Sequence, residues 1–151
     1  MTLPGIKPVG VMQQVFESFY LYAVVEPLTG ESLVLEFSHF DTACFQVFLE
    51  ELSRVDQESL LIVLLDNAGV HKAKVLRVPD NLILLALPAY APQLNPVERV
   101  WQYLKDPLAW QIFADLDALK HEVYQRIRAI SSATFQSLTS YEDLLHAVNA
   151  L

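Results

Sequence analysis

The chain has little of several things, and each shortage excludes a class of protein. One cysteine, Cys44, stands among 151 residues, which removes an internal disulfide framework and any cysteine-built zinc site. Only 4 glycines occur, and no glycine-rich phosphate loop is among them. Apolar runs are short. Leu60–Leu65 is followed at once by Asp66, and a membrane span needs about 18 apolar residues or more. The amino-terminal segment Met1–Lys7 has no apolar core of the kind found in a secretory signal. Cations are scarce: 10 Lys and Arg face 18 Asp and Glu, for a net charge of −8. Affinity for nucleic acid comes largely from Lys and Arg neutralising phosphates. Any nucleic-acid contact is therefore expected through a local site or beside another basic domain.

What is present describes a folded domain. Hydrophobic residues make up 53% and charged residues 19%, the latter below the ~25% of ordinary globular chains. That balance excludes a disordered chain. The length fits one domain able to bury most of its apolar surface. A cytoplasmic protein is the default expectation.

The pattern changes type along the chain. Phe16–Glu26 is rich in aromatic and β-branched residues, Ser32–Ser38 alternates, and Pro27-Leu28-Thr29-Gly30 lies between. Together they predict a β-hairpin. Asp41 reads as a helix N-cap, and Phe45, Phe48, Leu49 and Leu52 form the apolar stripe that follows. Cys44 at the start of that helix has no basic neighbour and reads as core or near-core. Leu60–Leu65 and Asn81–Leu87 predict two strands covered on both faces, as in a parallel sheet. Pro88, Pro92 and Pro96 lead to a helix expected from Asn95 to Asp106 and stopped by Pro107. Val97, Trp101, Leu104 and Leu108 would be its inner stripe. Further helices are expected over about Asp115–Ile130, and over Tyr141–Ala150 with Tyr141, Leu144, Leu145 and Val148 inward. The order of elements predicts an α/β layer fold.

Chemistry concentrates in two places. Asp66 closes an apolar strand, where ligands of open α/β sheets bind; the bland reading is a cap on the next turn. Glu98 falls at the third position of a helix entered through Asn95 and Pro96, which is a capping arrangement. Its alternative role is a metal ligand opposite Asp66, on a helix whose entry the prolines hold rigidly. His71 could contact a phosphate or assist a metal site, although a lone histidine after a strand also serves as a structural hydrogen-bond partner. Lys72, Lys74 and Arg77 form the densest basic cluster and could meet a phosphate backbone, against the reading of a solvated loop. Arg99 and Lys105 carry the same two readings.

The string Leu64-Leu65-Asp66-Asn67-Ala68-Gly69-Val70-His71, then Leu87 through Glu98, then Trp101, resembles the catalytic core of bacterial insertion-sequence transposases, the mariner-like DDE enzymes of the IS-six-thirty type. Val25–Glu31 and Asp41–Phe45 also look like segments of those proteins. The likeness runs from about Ile6 to about Leu108. It implies a ribonuclease H-like (retroviral-integrase-like) three-layer fold, with a partial core over residues 1–110 and carboxyl-terminal helices over 111–151. It also implies two divalent ions, Mg2+ or Mn2+, held by three acids for metal-dependent cleavage and strand transfer of DNA. Asp66 matches the second acid and Glu98 the third. Asn67, His71 and Asn95 match supporting positions, and Lys72, Lys74 and Arg99 are candidate DNA contacts.

The match to the family pattern is incomplete. The family's first acid lies upstream of the segment resembling Thr2–Pro8, and no Asp precedes Asp41 here. Glu17, Glu26 and Glu36 belong to the hairpin. The resemblance therefore implies the carboxyl-terminal part of a transposase, inactive alone, whose DNA partner is met as part of a complete enzyme. The absent strand would lie between the hairpin and the strand ending at Asp66. Its loss predicts self-association or pairing with an upstream transposase fragment. The competing reading is a non-catalytic remnant or interaction module. A third, an α/β protein binding a small phosphorylated ligand, has no glycine-rich loop to support it.

Overall fold

The computed structural model describes residues 17–66, 75–87 and 95–140. The chain runs β1 (Tyr20–Val25), β2 (Ser32–Phe37), α1 (Thr42–Val55), β3 (Leu61–Leu65), β4 (Leu82–Ala86), α2 (Val97–Lys105), a single 3-10 turn (Asp106–Leu108), α3 (Leu116–Ala129) and α4 (Ser132–Thr139).

The hairpin is antiparallel, with Tyr22 opposite Leu35 and Val25 opposite Ser32. Side chains alternate between faces along a strand, so the register sorts them into two sets. Tyr22, Val24, Leu33, Leu35 and Phe37 join the core built on Phe45, Phe48, Leu49 and Leu52 of α1. Val25, on the opposite face, joins Val100, Leu104 and Phe135 of α2 and α4. Helices thus cover the hairpin on both sides, which gives three layers. Lys120 of α3 bonds Glu36 of β2 at 2.7 Å across the second interface. Rings pack around Tyr22: Phe37 lies edge-on at 4.9 Å and Phe48 at 5.7 Å between centroids.

β3 and β4 pair in parallel, Leu61 with Leu82 through Leu65 with Ala86. Val63 and Leu82 are buried under the same helix α1. One helix therefore roofs both sheets, although among the described residues the two sheets share no ladder. The expectation that these strands are covered on both faces is corrected. Ile62, Ile83 and Leu85, on the face away from α1, are 44%, 40% and 39% exposed. An all-apolar strand specifies burial on one face well enough, but it does not supply the layer that would cover the other.

Local capping explains most boundaries. Asp41 Oδ1 accepts from Cys44 N–H at 2.8 Å and starts α1. Asp115 Oδ1 accepts from Ala118 N–H at 2.7 Å and starts α3. Ser131 Oγ accepts from Thr134 N–H at 3.1 Å and starts α4. The far end of α1 is tied to β4 by one side chain. Asn81 Nδ2 donates to the carbonyls of Ser53 and Asp56 at 3.0 Å each, and Asn81 Oδ1 accepts from Ser53 Oγ at 2.7 Å.

Helix α2 ends at Lys105, within a residue of the stop expected before Pro107, and Pro107 sits in the first turn of the 3-10 segment that follows, where its missing N–H costs nothing. Helix α4 (Ser132–Thr139) is a helix that periodicity did not announce. The expected helix over Tyr141–Ala150 lies outside the described residues. Cys44 is half-buried against the α1 core. Burial, and then the nearby Asp41 carboxylate, raise its pKa, so the thiol stays protonated.

The Asp41 cap yields a pH prediction. Its carboxyl is held below its ordinary value of 3.8, chiefly by the Cys44 N–H and then by the Cys44 thiol. A lowered folded pKa contributes stability above the unfolded value, and that stability is lost as pH falls through the folded value. Asp41→Ser keeps a capping oxygen and removes the titration. The wild-type chain is therefore expected to lose more Tm than the variant when pH falls from 5 to about 3. Identical acid limbs in the two melting curves would show that the cap does not titrate with folding.

Candidate functional site

Asp66 follows β3 directly. The ladder continues past it, with Leu87 N–H donating to the Leu65 carbonyl at 2.7 Å. Asp66 thus stands at the carboxyl end of a parallel pair, and its side chain is exposed. An acid that directly follows a hydrogen-bonded strand is held close to the strand's end, which suits a ligand that must be held in place.

Glu98 is built by different means. Pro96 has helical dihedrals (φ −62°, ψ −27°), so it acts as the first helical residue and Asn95 as the cap. Asn95 Oδ1 accepts from Val97 N–H at 3.2 Å, and the Asn95 carbonyl accepts from Glu98 N–H at 3.1 Å. The predicted cap is therefore formed, and its main-chain start lies within a residue of expectation. The reciprocal half of the capping box is not made. Among the described residues, the Glu98 carboxylate has no hydrogen-bond or ion-pair partner and is exposed. Its carboxylate therefore remains available for another partner. Val100 and Leu104 anchor the opposite side of α2 in the second core, so Glu98 and Arg99 are both turned to solvent. Trp101 and Val97 are half-buried against that core.

Asn67, His71, Lys72 and Lys74 lie outside the described residues. Asn95 is half-buried at the cap, and Arg99 is exposed beside Glu98. Among the described residues, no group of three or more His, Cys, Asp or Glu is close enough together to hold a metal ion. Asp66 and Glu98 are hard oxygen donors at exposed element ends. That chemistry suits a divalent ion such as Mg2+, which binds through one or two carboxylates and keeps water and phosphate oxygens for its other positions. Each acid has the donor chemistry of a ligand in such a site. A cleft of about 400 Å³ lies elsewhere, between the hairpin and α3, lined by Leu21, Val34, Glu36, Tyr124, Ile127 and Arg128. It contains none of the candidate residues. Among the described residues, no helix is long and apolar enough to cross a membrane.

Two side chains with no local signal in the sequence shape the surroundings. Gln46 clamps the backbone of Arg77, and Asn81 clamps α1 to β4; their partners lie 31 and 25–28 residues away.

Residues 4–120 match the family model described as DDE superfamily endonuclease. Over 100 residues the chain is 41% identical to the uncharacterized protein y4pE/y4sA of Sinorhizobium fredii (strain NBRC 101917 / NGR234), covering 65% of this chain and 74% of that one. Among solved structures, the Mos1 transposase paired-end complex with left transposon end matches with a TM-score of 0.66 at 20% identity. That match covers 92% of this chain and 45% of the Mos1 chain, so this chain spans somewhat less than half of that structure's length. The family match extends over most of the sequence, and the structural match supplies the fold. The chain belongs to the DDE superfamily endonucleases and has the ribonuclease H-like fold of a DDE transposase catalytic core.

Proposed function

We propose that this chain is part of the catalytic core of a DNA transposase, with Asp66 and Glu98 as two of the carboxylates that hold divalent metal. The observation that carries this reading is the unconsumed Glu98 carboxylate in the first turn of α2, in a DDE chain whose other matching acid ends β3. When bound, Mg2+ or Mn2+ would supply an activated water or DNA 3′-hydroxyl and stabilise the leaving oxygen of the phosphodiester. The protein's contribution is placement. The β3–β4 pair would hold Asp66 at its carboxyl end, and the Asn95–Pro96 entry would hold Glu98. Residues 1–110 would form this partial core, and 111–151 the helices packed on it. Asn67, His71 and Asn95 would support the site, while Lys72, Lys74 and Arg99 would meet DNA. The likeness to a transposase solved with a transposon end favours transposon-end DNA as substrate.

Cleavage and strand transfer would also need a third carboxylate. Asp66 and Glu98 match only two of the family's three acids, and on that reading this chain by itself would bind metal weakly and leave DNA uncut. The deciding experiment is Mn2+ titration by calorimetry, with wild-type chain against Asp66→Asn and Glu98→Gln. Binding that depends on both acids supports the reading. Binding indifferent to both would remove them from the site.

The exposed face of Ile62, Ile83 and Leu85 favours a second property, association with another protein chain, whether an upstream transposase fragment or a second copy. It is also the observation that keeps a non-catalytic interaction module in view. Association predicts a Tm that rises with protein concentration. A midpoint unchanged over a hundredfold range of concentration would argue for a self-sufficient monomer.

A further inference from the structure

Arg77 is held in an unusual way. Gln46 Oε1 accepts from the Arg77 N–H at 2.8 Å, and Gln46 Nε2 donates to the Arg77 carbonyl at 2.9 Å. One amide side chain thereby satisfies both main-chain groups of one residue, as a neighbouring strand would. Glu50 Oε1 takes a further hydrogen bond from the same Gln46 Nε2 at 3.0 Å and fixes the amide in orientation. The neighbouring Leu76 packs into the α1 core. The backbone is therefore pinned from two directions, while the Arg77 side chain is turned to solvent.

Its level in the fold follows from the connections. Asn81 ties to the end of α1 at Ser53 and Asp56, and its carbonyl accepts from Leu61 N–H at 2.8 Å where β3 begins. Gln46 lies seven residues before Ser53, roughly 10 Å up the helix. From its start, β3 climbs roughly 16 Å to Asp66. Arg77 thus stands in the half of the molecule that carries Asp66.

Three of the other six described lysines and arginines are committed to ion pairs within the chain. Arg54, Lys120 and Arg126 are paired with Glu51, Glu36 and Glu122. The Arg77 guanidinium has no ion-pair partner among the described residues. In a chain of net charge −8, an arginine with a fixed backbone and an uncommitted guanidinium offers a directed donor fork for a phosphate.

Building on the transposase reading above, we propose that Arg77 contacts the phosphodiester backbone of the DNA strand bound at the Asp66 end of the sheet, and that Gln46 is its positioning residue. A phosphate contact has a signature that a structural arginine lacks: its loss lowers the slope of log affinity against log salt by about 1. The test is fluorescence anisotropy of a labelled duplex oligonucleotide with the 151-residue chain, titrated from low to moderate KCl. Arg77→Ala should weaken binding several-fold and lower the slope by about 1. Gln46→Ala should weaken binding while keeping the slope, because the charge remains and only its placement is lost. Arg128→Ala, which removes an exposed cation of α3, should change neither.

An unmoved slope in Arg77→Ala overturns the inference, as does an equal loss in Arg128→Ala or the absence of DNA binding by the wild-type chain. Mn2+ titration of the same preparations separates the two levels. Acid-dependent Mn2+ binding with an unmoved salt slope sinks only the role of Arg77. Mn2+ binding indifferent to Asp66 and Glu98 sinks the site reading beneath it. Unchanged melting of Arg77→Ala confirms that the variant is folded.

Discussion

Replacing Gly30 with alanine is expected to destabilise the chain by about 3 kcal/mol or more, enough to leave a marginal domain largely unfolded. Two independent costs meet at this position. Gly30 has φ +74°, a region where an L side chain is strained by about 1–3 kcal/mol. A Cβ placed there would also lie 1.9 Å from the Ser132 carbonyl oxygen and 2.7 Å from its carbon. Those are backbone atoms at the first turn of α4, so no side chain can swing aside. Relief requires α4 to lift off the hairpin, and α4 carries Phe135 into the second core.

The surrounding bonds show how tightly the turn is seated. Gly30 N–H donates to the Glu26 carbonyl at 2.8 Å, Glu26 N–H donates to the Glu31 carbonyl at 2.8 Å, and the Glu26 carboxylate takes the N–H groups of Leu28 and Thr29. Gln136 Nε2 reaches from α4 to the Leu28 carbonyl at 2.5 Å. Urea denaturation of Gly30→Ala beside a neighbouring control such as Leu28→Ala measures the effect. Leu28 is 46% exposed and should lose little. A Gly30→Ala penalty below about 1 kcal/mol would show that the hairpin and α4 are not in contact in solution.

The second large effect concerns the acids. In a transposase assembled with its third carboxylate, Asp66→Asn or Glu98→Gln is expected to reduce strand cleavage by roughly a thousandfold or more. Metal stabilisation of the transition state is worth several kcal/mol, and each 1.36 kcal/mol is a factor of ten. In the isolated chain the same variants should weaken Mn2+ binding by more than tenfold, since even a partner one step removed from a metal is worth about 10–100-fold. Both substitutions keep shape and remove charge at exposed positions, so folding should be almost unaffected.

Glu98 offers the sharper comparison. If its role were to cap α2, Glu98→Gln would retain most of the benefit, because glutamine also serves at that position. Full metal affinity in Glu98→Gln would remove Glu98 from the metal site and leave it a capping residue that glutamine replaces. Lost affinity with an unchanged Tm is the expected result.

Much of the molecule was legible in short stretches of sequence. The Pro27–Gly30 turn, between a segment rich in aromatic and β-branched residues and an alternating one, specified the hairpin. Asp41 followed by Phe45, Phe48, Leu49 and Leu52 specified α1 and the face it buries. Asn95-Pro96 specified the entry to α2. These signals are legible because capping, turn geometry and side-chain period act within about four residues. Helix α4 was not legible for the same reason. Its eight residues, SATFQSLT, carry little periodic signal. It is held by Phe135 in a shared core and by Gln136 on a carbonyl 108 residues earlier. The partial exposure of the outer face of β3 and β4 was not legible, because an apolar strand reports a preference for burial and is silent about which layers are available to bury it.

The site divides along the same line. Asp66 at the end of an apolar strand, and Glu98 behind Asn95-Pro96, could be picked out as candidates from neighbours in the chain alone. The sequence by itself thus determined the hairpin, α1 and the entry to α2, the face that α1 buries, and the two acids that match the family. The tertiary structure decided that one helix roofs both sheets, that the Glu98 carboxylate is left free of its capping bond, and that Gly30 has no room for a methyl group. It also decided that Gln46 pins Arg77 across 31 residues. Local rules act through the covalent chain, over one turn of helix or one turn of hairpin. Contacts between distant residues depend on how whole layers stack, and no short window of sequence contains both partners.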